Sequence, residues 1–204
     1  SRMFIEAIEK VGTIEQNALR NFLEVTESIM YRDPDRDVEI AALPLDDFRV
    51  TVMVDYNSPV LGSQHASLNN IQDFKKEISS SRTFCFLHEL EMLYKNNLIR
   101  GGDLNNAIVV VDRVVKDEEL DYLAGLFGKP KVEVKKEGIL NNVELRHRNE
   151  PARHKLLDLI GDLSLIRQKI NGKIIANKPG HLINIKFAKE IYKIMKKINK
   201  VPSI

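Results

Sequence analysis

One cysteine is all the thiol this 204-residue chain carries. Cys85 has no partner for an internal disulfide, which fits a reducing compartment, and without a CxxC pair nothing points to thiolate ligation of a metal. Charge of one sign is lacking too. Lys and Arg number 31 against 29 Asp and Glu, a formal charge of +2, so the balance gives no argument for a nucleic-acid partner. No apolar run reaches the roughly 18 residues of a bilayer span, and no signal-peptide pattern opens the chain. We therefore read the protein as cytoplasmic with no transmembrane segment. The first Met is residue 3 in "SRMFIEAIEK", so we read the sequence as a piece of a longer protein. What it does have is 43% hydrophobic and 29% charged residues, enough at this length for one large domain or two small ones.

Residues 4–10 carry Phe4, Ile5 and Ile8 at helical spacing and are stopped by Gly12. "FLEVTESIMY" and "VEIAAL" flank the turn-rich "RDPDRD", which suits a reversal between antiparallel strands. Phe48, Val50, Val52 and Val54 alternate with Arg49, Thr51, Met53 and Asp55, a strand with one apolar face. Between these parts "LPLDD" is the expected domain boundary. "NNIQDFKKEIS" reads as a helix opened by an Asn cap, and "TFCFLHELEMLYKNN" as a second helix stopped by "IRGG". "NAIVVV" reads as a buried strand, followed by a polar excursion to Asn149 with a short helix, "EELDYLAGLFG", and a β-type run, "KVEVKK". A helix from 149 is expected to end at "NG", residues 171 and 172, before a strand "KIIAN", a turn "KPGH" and a last amphipathic helix.

Chemistry concentrates on "NEPARHKLLDLIGDLSLI". At about 100° per residue, His154, Asp158 and Asp162 fall within about 80° of one another, opposite Leu156, Leu159 and Leu163. Imidazole and carboxylate one turn apart can reach a single zinc ion. Asp162, a further turn on, is placed to hold a neighbouring residue. The competing reading is a plain solvated face. Leu165, which sits angularly between His154 and Asp158, is odd for such a face, and Gly161 beside it leaves room near the backbone. In "NKPGHLIN" a tight turn delivers His181 to the start of a helix, where a cap or a catalytic group would both be at home. In "SRTFCF", Thr83 near a helix start reads as a cap, with Phe84 and Phe86 as core aromatics. We reject Cys85 with His88 as a nucleophile and base, because a Cys between two Phe is a buried, inert type.

Taken in order, "SRTFCFLHELEML", "IRGGDLNNAIVVVD", "NEPARHKLLDLIGDL" and "KPGHLIN" resemble the second domain of the zinc-dependent UDP-3-O-acyl-N-acetylglucosamine deacetylase of lipid A biosynthesis. The resemblance covers nearly the whole chain, and the pairing of "RHKxxDxIGDL" with "GHxxN" is its specific part. It implies an α+β fold: two-layer α/β sandwiches, helices packed on a mixed or antiparallel sheet, with the active site between two domains. On it, residues 1–43 match the tail of the first domain. Residues 44–200 match the second, with a βαβ-type insert at about 112–149 that is longer than the family's acyl-chain passage, and residues 201–204 match the start of a linker. Some relatives fuse this enzyme to a hydroxyacyl-carrier-protein dehydratase.

Residue by residue, the resemblance gives His154 and Asp158 as zinc ligands and Asp162 as the acid that holds the catalytic histidine, His181. It gives Thr83 as the hydroxyl supporting the oxyanion. Lys155 and His181 match positions near the substrate's phosphates and amide, and Phe84 and Phe86 match residues lining the nucleotide-sugar and acyl region. It implies zinc as cofactor, a UDP-acyl-amino-sugar as substrate, and hydrolysis of its N-acetyl group with a carboxylate as base and His181 as acid. One departure stands out. The family's H-T-x-E-H motif, source of the third zinc ligand and the base, does not occur here, and the contexts of His65, His88 and His147 do not match it. Catalytic zinc usually has three protein ligands, so we expect weak metal affinity and no turnover without a first-domain segment as partner. The alternative is a non-catalytic α/β binding module whose basic last helix, Lys186 to Lys200, contacts an acidic partner or a membrane surface.

Overall fold

The computed structural model describes residues 1–96, 107–126 and 128–198. They form, in chain order, α1 (Arg2–Val11), β1 (Phe22–Glu24), β2 (Ile29–Asp33), β3 (Val38–Leu43), β4 (Phe48–Asp55), β5 (Ser63–Leu68), α2 (Phe74–Glu77), β6 (Phe84–Phe86), α3 (Leu87–Lys95), β7 (Ile108–Val110), α4 (Asp117–Leu126), α5 (Glu150–Ser164), β8 (Lys169–Asn177) and α6 (His181–Ile198). The class is α+β, with helices against a mixed sheet. The helix stop "IRGG" and the tail at 201–204 lie outside the described residues. Among the described residues no helix is long and apolar enough to cross a membrane. Backbone proximity divides the chain into two compact units: Ser1–Val54, His65–Ser80 and Ala152–Ile204 make the first, Asp55–Gln64 and Ser81–Pro151 the second.

The first unit holds a sheet in the order β2-β3-β8-β4-β5, with β1 also paired to β8. β8 runs antiparallel to β3 and parallel to β4, so Ile174 meets Ala42 on one side and Val50 on the other. The alternation expected in β4 is present: Val50, Val52 and Val54 are buried while Met53 and Asp55 are exposed. "RDPDRD" makes its reversal through a 3-10 turn, Pro34–Arg36, in which the Asp33 carboxylate accepts from the Arg36 N–H. The apolar faces of two helices supply the other layer: Leu156, Leu159 and Leu163 from α5, and Ile183, Phe187, Ile191 and Met195 from α6, all at most 2% exposed. α6 lies against β1, β2 and β3. Two expectations change here. α5 stops at Ser164, and Asn171 and Gly172 lie inside β8, paired to Glu24 of β1 and Phe48 of β4; Val25 packs so close that a Cβ on Gly172 would come within 2.5 Å of its Cγ2. "NNIQDFKKEIS" is a 3-10 turn capped by Asn70, which accepts from the Gln72 N–H, followed by a single helical turn.

The second unit is built on the parallel pair β6 and β7. Val109 packs with Leu87, Leu90, Leu123 and Leu140 on one side. Ile108 and Val110 pack with Leu61, Ile139 and Val143 on the other. A parallel strand covered on both faces has no polar position to alternate with, hence the unbroken "IVVV". "FCF", expected as the start of a helix, is strand β6 paired to β7. α3 starts only at Leu87, with the Glu89 carboxylate accepting the Phe86 N–H at 3.1 Å. "KVEVKK" forms no strand; it contributes one bridge, Val134 to Leu140, beside a turn at Gly138.

Candidate active site

Helix α5 and the head of α6 bring five of the eight candidate side chains together, all within the first unit. The α6 head is set by the turn after β8. Lys178 takes a left-handed φ of 52°, its N–H donates to the Met53 carbonyl at 2.8 Å, and its ammonium pairs with Asp37 at 2.6 Å, which holds the Asp37 carboxyl below its ordinary range. Pro179 and Gly180 follow, and the Asn184 N–H donates to the Gly180 carbonyl to begin the helix. His181 is thereby delivered to Asp162: Nδ1 lies 2.9 Å from Oδ2 and 3.2 Å from Oδ1. Its other nitrogen, Nε2, lies 4.0 Å from Asp158 Oδ2.

One turn back, His154 Nε2 stands 3.5 Å from Asp158 Oδ1, and Lys155 Nζ stands 3.5 Å from Oδ2. The first distance is too long for a hydrogen bond. It fits two donors on one small cation, since ligand atoms at about 2.0–2.2 Å and a tetrahedral angle lie roughly 3.3–3.5 Å apart. The donor set of imidazole and carboxylate suits zinc as well. Among the described residues no group of three or more His, Cys, Asp or Glu is placed to hold a metal, so the pair is one donor short of a catalytic set. The Asp158 and Asp162 side chains are only 11% and 13% exposed, whereas His181 is 66% exposed. The acceptors are fixed and partly desolvated, and the histidine is the accessible partner.

Thr83, Phe84 and Phe86 belong to the second unit. Thr83 is exposed and caps no helix; it precedes β6, where its carbonyl accepts the Ile108 N–H. Phe84 and Phe86 are half-buried and meet the Tyr56 ring edge-on, at centroid distances of 5.1 and 6.5 Å. His88 stacks on Phe86. His65 is exposed on β5, and His147 offers its carbonyl to the Glu150 N–H. Burial and the nearby Glu89 charge push the Cys85 thiol up to about 11, which agrees with an inert cysteine. Leu165 lies beyond the end of α5 and is 65% exposed, lining with Asp162, Ile166, Ile185 and Tyr192 a cavity of about 350 Å³. The lysine side of α6 faces solvent, with Lys186 lying 3.8 Å from Asp33.

Sequence reasoning gave no role to two buried polar groups, one of which, Asn184, closes the "GHxxN" motif. Asn184, wholly buried, donates from Nδ2 to Asp162 Oδ2 at 2.9 Å. Glu150, also wholly buried, takes the Arg82 N–H and Nε on one oxygen and Arg82 Nη2 with the Arg146 N–H on the other. The signal for Glu150 was available, because it stands one step before His154 in the same every-fourth-residue file.

The family model described as UDP-3-O-acyl N-acetylglycosamine deacetylase matches residues 1–124 and 122–193. The chain is 46% identical over 196 residues to the bifunctional enzyme LpxC/FabZ of Chlorobaculum tepidum, covering 95% of this chain and 42% of that protein. It is 43% identical over 193 residues to the protein of the same name from Bacteroides thetaiotaomicron, with 95% and 42% covered. To the UDP-3-O-acyl-N-acetylglucosamine deacetylase of Chlamydia pneumoniae it is 34% identical over 193 residues, 94% of this chain and 59% of the relative. The chain thus spans less than half of the bifunctional relatives and about three-fifths of that deacetylase. With nearly its whole length matched, the chain belongs to the UDP-3-O-acyl N-acetylglycosamine deacetylase family.

Proposed function

We propose that this chain supplies one side of the active site of a cytoplasmic, zinc-dependent deacetylase that removes the N-acetyl group from a UDP-3-O-acyl-N-acetylglucosamine in lipid A biosynthesis. The observation that carries the reading is the convergence of His154, Asp158, Asp162 and His181 at the head of α6. His154 and Asp158 are the residues that would hold the metal. Bound there, zinc supplies a Lewis acid for the amide carbonyl and a lowered pKa for water. Asp162 accepts from His181 Nδ1, which fixes the ring and leaves Nε2 to carry a proton to the departing amine. Lys155, on the same face and 3.5 Å from Asp158 Oδ2, meets the anionic part of the substrate. Thr83, as the hydroxyl for the oxyanion, and Phe84 and Phe86, as residues bordering the nucleotide-sugar and acyl groups, are carried over from the family resemblance alone.

In this reading residues 1–43 close the family's first domain and residues 44–200 form its second. The two compact units cut the chain along other lines, since β2 and β3 share a sheet with β4 and β8. Two protein donors are one fewer than catalytic zinc ordinarily has, so the 204 residues alone bind zinc weakly and turn over no substrate until the H-T-x-E-H segment joins them. Calorimetric zinc titration tests this. Wild type binds, His154→Ala and Asp158→Ala each lose about tenfold or more, and a UDP-amino-sugar binds more tightly with zinc present. Zinc affinity indifferent to both substitutions removes the metal site, and turnover by the isolated chain removes the claim that its set is incomplete.

A further inference from the structure

We propose that Asn184 is the positioning residue that sets His181 for proton transfer, by holding the Asp162 carboxylate against the His181 ring. The proposal rests on the pairing of Asp162 with His181 in the reading above and goes one residue beyond it. Asn184 is wholly buried in the first turn of α6, three residues after His181, and its backbone is tied to Gly180. Its Nδ2 donates to Asp162 Oδ2, the oxygen that also receives His181 Nδ1. A carboxylate only accepts, so the amide must turn its nitrogen to Asp162. That orientation leaves Asn184 Oδ1 buried with no hydrogen-bond partner among the described residues. A leucine of similar volume would avoid the orphaned acceptor, and buried unsatisfied polar groups are rare enough to need a reason. The reason here is the donor: local packing gains nothing from the amide, whereas Asp162 does.

The geometry makes this specific. Asp162 sits on α5 and His181 on α6, so their hydrogen bond depends on the registration of two helices. Asn184 ties Asp162 to α6 independently of the imidazole. With Asp162 so held, the His181 proton is kept on Nδ1 and the exchangeable position is Nε2, the atom facing Asp158.

Ring ¹⁵N shifts of the ¹⁵N-histidine-labelled full chain, without metal at about pH 8.5, read the neutral tautomer directly. Wild type is expected mainly as the Nδ1–H form. In Asn184→Leu that fraction falls by about twofold or more toward the mixture of free imidazole, while the His154 shifts and zinc affinity stay as in wild type. Asn184→Ala, which removes the donor and adds no new polar group, gives the same loss and serves if the leucine variant does not fold. A folded donor-less variant with the wild-type His181 tautomer overturns the role of Asn184 alone. A wild-type His181 already in the Nε2–H form overturns the Asp162 pairing beneath it.

Discussion

Glu150 carries a full charge out of water, and its four hydrogen bonds decide whether that is tolerable. Burial alone would raise its pKa; the Arg82 guanidinium and the backbone N–H groups of Arg146 and Arg82 outweigh it and hold the carboxyl below the ordinary 4.5. A folded-state pKa below the unfolded one contributes stability that is present above about pH 4.5 and lost as pH falls through the depressed value. Urea midpoints measured from pH 7 down to pH 3 should therefore fall steeply for wild type and less so for Glu150→Gln. At neutral pH Glu150→Ala should cost about 3–5 kcal/mol, because it strands the Arg82 guanidinium, itself only 11% exposed; a loss under about 1 kcal/mol would mean that water satisfies Arg82. Cys85 gives a second residue-level expectation. With the thiol pushed up to about 11, its thiolate fraction at pH 8 is on the order of one in a thousand, and thiol reagents should react slowly there and faster with each pH unit above. Reaction at the rate of a free thiol near pH 8 would contradict the burial. These residues also mark what the sequence made legible. The file of His154, Asp158 and Asp162 follows from helical geometry alone, whereas Asn184 gains meaning only from a partner 22 positions away on another helix.

Elements were readable where one face repeats and unreadable where pairing decides. The alternation in β4 and the apolar stripe of α6 announce themselves, because each buries one side against a continuous layer. "TFCF" and "NG" do not. Phe84–Phe86 is strand because β7 pairs with it, and Asn171 and Gly172 are strand because β1 and β4 close on β8 from far along the chain. A tertiary partner overrode the local turn preference of Asn-Gly. The same contact makes Gly172 testable. A methyl there would come within 2.5 Å of Val25 Cγ2 and 3.2 Å of the Leu43 carbonyl oxygen. Gly172→Ala should lower stability by about 1–3 kcal/mol through overpacking. Val25→Ala in the same chain should recover part of the loss, a coupling of about 1 kcal/mol in the double-mutant cycle. Strict additivity would place the strain on the carbonyl instead.

At the scale of the whole molecule, topology separates what local pattern cannot. β8 comes near the end of the chain yet lies inside the sheet, paired to β1, β3 and β4, so the first unit cannot close its sheet until residues 169–177 are in place. The catalytic candidates inherit that dependence: β8 ends at the turn that presents His181, and α5, which carries His154, Asp158 and Asp162, immediately precedes it. The second unit has its own core around Val109, Leu123 and Leu140 and its own parallel pair. Ile174 is fully buried at the middle of β8, opposite Ala42 and Val50. Ile174→Ala should cost about 2–5 kcal/mol by leaving a cavity in the first unit. Native-state hydrogen exchange should then show amides of β3, β4, β8 and α6 losing protection together, while those of β6 and β7 keep most of theirs, because each unit opens as its own cooperative set. Zinc binding through His154 should weaken in parallel with the first unit's loss. Equal loss of protection in β6 and β7 would show instead that the chain unfolds as one body and that the metal pair depends on both cores.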